Sequence, residues 1–65
     1  MRVETTEQVR RLKNTVMGAG HRLSLLAASD EVSAAQARTL SELAAELART
    51  AQRLERLLSG FEAEG

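Results

Sequence analysis

The chain contains no cysteine, no proline, no tryptophan and no tyrosine, with one phenylalanine and one histidine among its 65 residues. Without cysteine, a disulfide framework and a thiolate metal site are both excluded, and a lone histidine cannot build a zinc site. Aromatic and β-branched residues are too few for a strand-based fold. Nine basic side chains balance nine acidic ones, so no overall field draws the molecule to nucleic acid or to an anionic membrane. No apolar run approaches the ~18 residues of a membrane span. Met1 is followed by a mixed polar segment rather than a signal peptide. The expectation is a soluble cytoplasmic protein with no cofactor.

Sixty-five residues allow one small domain. A chain this short buries only about 60% of its unfolded surface, so with neither disulfide nor metal it needs oligomerisation or an unusually regular helical core. Alanine, leucine, glutamate and arginine dominate the composition and favour helix almost everywhere.

The most regular stretch is Leu40 to Phe61, whose apolar residues recur at helical spacing. In the first half, Val9, Leu12, Val16, Ala19, Leu23 and Leu26 alternate steps of three and four, a heptad seam. The same heptad register continues through Ala37, Leu40, Ala44, Leu47, Ala51, Leu54, Leu58 and Phe61. Between these runs the seam positions turn polar at Asp30 and Ser33. Cap chemistry appears at the same place: Ser29 or Asp30 suits an N-cap, and Ser33 with Gln36 makes a second capping-box candidate. Loss of the apolar pattern together with caps reads as a corner between two helices. The spacing predicts helix 1 over about 3–28, a turn at about 28–31, helix 2 over about 30–59 with Gly60 as its C-cap, and a frayed tail over 60–65. Gly18 and Gly20 read as a flexible or closely packed point inside helix 1, because the seam passes Ala19 without a change of phase.

The expected fold is therefore all-α: an antiparallel helical hairpin, dimerising into a four-helix bundle. The rival is one continuous coiled-coil helix about 90 Å long. Size matching favours the hairpin. Folded near Ser29–Asp30, Leu23 meets Ala37, Ala19 meets Leu40, Val16 meets Ala44 and Val9 meets Ala51, and large against small fills a core. Only Leu12 with Leu47 pairs two large residues. The halves also carry opposite charge, +3 over residues 1–29 and −3 over residues 30–65, which favours folding back. In this reading Val9, Leu12, Val16, Leu23, Leu26, Leu40, Leu47 and Leu54 form the hairpin seam. Leu43, Leu57, Leu58 and Phe61 are left to contact a partner.

The chemistry-bearing side chains form no catalytic constellation. His21 neighbours the seam without a carboxylate, serine or cysteine to work with. Gly18-Ala19-Gly20 lacks the strand and the Gly-Lys-Ser/Thr of a phosphate loop. Glu42, Glu46 and Glu55 lack the histidines of a bundle di-iron site. No catalytic, cofactor or metal residue is therefore expected, and no enzyme. Arg10, Arg11, Lys13 and Arg22 could touch phosphate, but no aromatic residue is interleaved for base stacking.

The segment Glu46-Leu-Ala-Arg-Thr-Ala-Gln-Arg-Leu-Glu-Arg-Leu-Leu-Ser-Gly-Phe61, with Thr5-Thr-Glu-Gln-Val9 before it, resembles the C-terminal coiled-coil end of bacterial chemoreceptor signalling domains. The resemblance covers about a third of the chain and implies a coiled-coil bundle. The tip sequence through which those receptors contact their kinase is not present, so no functional residue carries over. The expected function is a non-enzymatic helix–helix association module, for assembly or as an adaptor, acting as a homodimer or with a helical partner. Two other readings are a small regulator that binds nucleic acid or anionic membrane through the basic first helix, and a small chaperone or partner subunit of a larger helical complex.

Overall fold

The structure, a computed structural model, describes residues 2–64, with the side chain of Glu64 left aside. Helix α1 spans Val3–Ala27 and helix α2 spans Ala34–Glu64. They pack against each other along their length as a hairpin with a long axis of 47 Å, about half that of the continuous rod. Among the described residues there is no strand.

The corner is built by local hydrogen bonds rather than by a glycine. At the end of α1 the Ala28 N–H donates to the carbonyls of Ser24 and Leu25, both at 3.2 Å, and the Ser29 N–H to that of Leu26 at 3.0 Å. These tightened bonds satisfy carbonyls left over at a helix end. The Glu31 N–H then donates to Ser29 Oγ at 3.1 Å. Helix α2 opens with the second capping candidate. The Ser33 N–H donates to Gln36 Oε1 at 2.9 Å, and the Gln36 N–H donates back to Ser33 Oγ at 3.1 Å, a complete capping box. Ser29 therefore shapes the turn and caps nothing. The turn occupies 28–33 rather than 28–31, and α2 begins at Ala34 rather than near 30. At the other end α2 runs through Gly60 to Glu64. Gly60 has no positive φ and is not the C-cap expected of it. Of the tail expected to fray, 60–64 is helical, and Gly65 lies outside the described residues.

The longer turn resets the register. Gly20, the one buried residue of α1, lies against α2 so closely that a Cβ on it would sit 3.5 Å from Leu47 Cβ and 3.6 Å from the Ala44 carbonyl oxygen. Lys13 Nζ donates to Glu55 Oε2 at 2.8 Å and Arg10 Nη2 to Glu62 Oε1 at 3.3 Å. The expected layers, Ala19 with Leu40 and Val16 with Ala44 among them, are thus replaced by layers displaced by one to two helical turns. The principle of large against small survives the displacement. Carried along the helices, the Gly20–Leu47 register places Val16 level with Ala51 and Leu23 level with Ala44.

Candidate association surface

Among the described residues three apolar side chains are buried: Ala44, Ala51 and Leu58. None of the larger ones is wholly removed from solvent. The hairpin thus holds a line of contact rather than a core, and the question is what its remaining leucines face.

On α1, Gly20 is buried and Thr5, Thr6, Val9, Arg10, Lys13, Val16, Ala19, Leu23 and Ala27 are half-buried. Of these, Val9, Lys13, Val16, Gly20, Leu23 and Ala27 alternate steps of four and three and so share the face that holds buried Gly20. This seam shares Val9, Val16 and Leu23 with the expected one. It replaces Leu12 by Lys13, Ala19 by Gly20 and Leu26 by Ala27. Lys13 fits there because its apolar stem crosses the seam and its ammonium emerges beside Glu55. Gly20 lies there with room for a methyl group at ordinary contact distance and for nothing larger over Leu47. Leu12 and Leu26, expected inside the hairpin, are instead 58% and 52% exposed. On α2, Leu40, Leu47 and Leu54, also assigned to the seam by their spacing, are half-buried. Leu58, assigned by its sequence position to a partner, is only 3% exposed and belongs to the seam as well. Leu43 and Leu57 stay 43% and 46% exposed, and Phe61 is half-buried.

Four of the five exposed leucines are not scattered. At about 100° per residue, Leu12, Ala19 and Leu26 cluster on α1 at roughly 80° from the direction of the seam. Leu43, Thr50 and Leu57 cluster on α2 at about the same angle from its own seam. Met17 and His21 of α1 and Ala48 and Gln52 of α2 line one open groove of about 560 Å³, so these flanks share one side of the hairpin. The opposite flanks therefore share the other side. Leu12, Leu26, Leu43 and Leu57 lie on this second side, with half-buried Leu23, Leu47, Leu54 and Phe61 beneath their edges, while the fifth exposed leucine, Leu25, lies on the outer side of α1 at about 160° from its seam. The register puts Leu12 close to the level of Leu57 and Leu26 close to that of Leu43. The result is an apolar face running along most of the hairpin, with two pairs of leucines standing out from it.

No known protein family, curated protein or solved structure matches the chain.

The two sides differ in charge. Both inter-helix ion pairs, Lys13–Glu55 and Arg10–Glu62, lie toward the groove side, and Arg10 is also paired with Glu7. Among the described residues there is no cluster of three potential metal ligands, and no helix is long and apolar enough to cross a membrane. His21 is exposed and lines the groove, as does Gln52.

Proposed function

We propose that this chain is a non-enzymatic association module whose working surface is the leucine face, and that it is complete only when that face is covered by another helical surface. The observation that carries the reading is the gathering of Leu12, Leu26, Leu43 and Leu57 on one side. Singly exposed leucines are ordinary, whereas a continuous apolar face marks an interaction site. Area supports it. The hairpin exposes 5102 Å², while a compact monomer of 7.1 kDa exposes about 4100 Å². The excess of roughly 1000 Å² is comparable to the ~800 Å² that each partner contributes to a stable interface.

The reading in which the basic first helix binds phosphate draws less support. Arg10 and Lys13, two of its four cations, already hold Glu62 and Glu55 across the hairpin. An adaptor and a partner subunit would use the same leucine face and differ only in what covers it.

The double variant Leu26→Glu/Leu43→Glu tests the reading, because it places charge on the face while leaving the seam untouched. Light scattering and circular dichroism over a range of protein concentration should show wild-type helicity and melting temperature rising with concentration, and the variant losing that dependence. A wild-type protein that melts cooperatively as a monomer at every concentration, with the variant equally stable, would refute it.

A further inference from the structure

Resting on the reading above, we infer that the occupant of the leucine face is a second copy of this chain, packed with the two hairpin turns at opposite ends and the two-fold axis passing by Ala19 and Thr50.

Leu12 and Leu26 stand seven residues either side of Ala19, and Leu43 and Leu57 seven residues either side of Thr50. Ala19 and Thr50 are close to level with each other in the hairpin register. A two-fold axis at that level, perpendicular to the helices, therefore lays Leu12 over Leu26 of the second copy and Leu43 over its Leu57. Ala19 and Thr50 each meet their own copy. The large side chains fall in two layers toward the ends, and the small residues fall at the crossing, where helices must approach. Such a surface is complementary to itself, as a two-fold interface requires. The leucine face also stands about 80° from the seam, close to the ~90° between the two neighbours of a helix in a square four-helix bundle.

Thr50 is equipped for that burial. Its hydroxyl donates to the Glu46 carbonyl at 3.0 Å, so covering it strands no donor. Glu46 and Arg53, both exposed, lie at the outer edge of the face, four residues before Thr50 and three after it. Across the two-fold each comes beside the other's counterpart, giving two opposite-charge contacts. Docking with the turns at the same end would instead gather Asp30 and Glu31 of both copies, four carboxylates, at one end. Opposed turns keep them a hairpin's length apart.

The chain has no native cysteine, so single-cysteine variants report the arrangement directly. Helix axes about 8–10 Å apart, each with Cα atoms at a radius of about 2.3 Å, leave facing Cα atoms about 3.5–5.5 Å apart, near disulfide range. Ala19→Cys and Thr50→Cys, oxidised separately at low concentration, should each give a covalent dimer of unchanged helicity. Gly18→Cys, on the outer side of α1, should not. In parallel, Glu46→Arg and Arg53→Glu should each raise the dimer dissociation constant by about fivefold, and the double exchange should restore it. If only the double variant Ala19→Cys/Thr50→Cys crosslinks and the charge exchange fails to restore binding, the turns lie at the same end and this arrangement is wrong, although association stands. A monomeric mass at all concentrations, with no crosslink, removes the second copy. Whether the association reading falls with it is then decided separately by the stability of Leu26→Glu/Leu43→Glu.

Discussion

Gly20 and Gly18 form a matched pair of probes for how closely the helices approach. Both lie inside α1, and each lowers the stability of a helix interior by about 1 kcal/mol relative to alanine. Their surroundings differ. A Cβ on Gly18 meets nothing within 4 Å, whereas one on Gly20 lies at ordinary contact distance from Leu47 Cβ and the Ala44 carbonyl. Gly18→Ala should therefore stabilise the protein by about 1 kcal/mol from helix propensity alone. Gly20→Ala should gain the same amount plus the burial of a methyl group, worth up to about 0.8 kcal/mol. In a domain of this size each kcal/mol moves the melting temperature by roughly 4–8 °C. Thermal and urea melts followed by circular dichroism would measure both variants, at one fixed protein concentration because association makes the midpoint concentration-dependent. The difference between the two variants isolates packing. If Gly20→Ala destabilises while Gly18→Ala stabilises, the backbones are closer than the Gly20–Leu47 geometry allows. If both destabilise, the chain is not helical through these residues and the hairpin is drawn wrongly. Gly20→Leu extends the series: the added bulk has no room over Leu47 and should cost about 1–3 kcal/mol.

The other variants test the remaining supports of the fold. Ser33→Ala removes the N-cap of α2 and should cost about 1 kcal/mol in a urea melt, whereas Ser29→Ala should cost less because its oxygen serves only the Glu31 N–H; the reverse order would place the helix start at Ser29. Leu58→Ala should cost about 2–5 kcal/mol, enough to unfold so small a domain, and a loss under 1 kcal/mol would mean that Leu58 is not in the seam. Glu55→Gln should cost no more than about 1 kcal/mol at low ionic strength and nothing at 1 M salt, where the screening length falls to about 3 Å; an effect that persists in high salt would mean that Lys13 is held by something other than Glu55.

The two-helix hairpin could be inferred from residue spacing, because stripe, caps and charge balance all agreed about the corner. The assignment of individual side chains was less legible, for an identifiable reason. A strict heptad assigns every apolar residue to one seam, but its two apolar positions stand about 60° apart round a helix. Val9, Val16 and Leu23 remain toward α2, while Leu12, Ala19 and Leu26, at the other position, lie on the flank. The positions they vacate are taken by Lys13 and Gly20, which hydrophobic pattern cannot select. Lysine enters the seam only because Glu55 waits across it, and that partner is fixed by a register the turn determines. The turn in turn hinges on which of two serines caps the helix. Gln36 three residues beyond Ser33 was the signal that distinguished them, and taking that capping box as the helix start would have moved every layer toward its observed place.

The exchange of Leu12 for Lys13 and Leu26 for Ala27 also explains why the hairpin alone is incomplete. Had the leucines faced inward, one seam would have consumed most of the apolar surface and left a polar exterior. With lysine, glycine and alanine in the seam, the helices can close on each other while five leucines stay outside, four of them on one face. Sequestering Leu12 and Leu26 within the hairpin would require α1 to rotate by about 80°. That rotation would break the Lys13–Glu55 pair and carry Gly20 away from Leu47. The close approach at Gly20 and the exposure of the leucine face are therefore one structural choice, and a substitution that disturbs the first should be felt at the second. Gly20→Leu is the sharpest case: besides weakening the hairpin, it should loosen whatever covers Leu12 and Leu26, seen as a lower associated mass at a concentration where the helicity that remains is still measurable. Associated mass unchanged alongside a weakened hairpin would show that the two faces are independent.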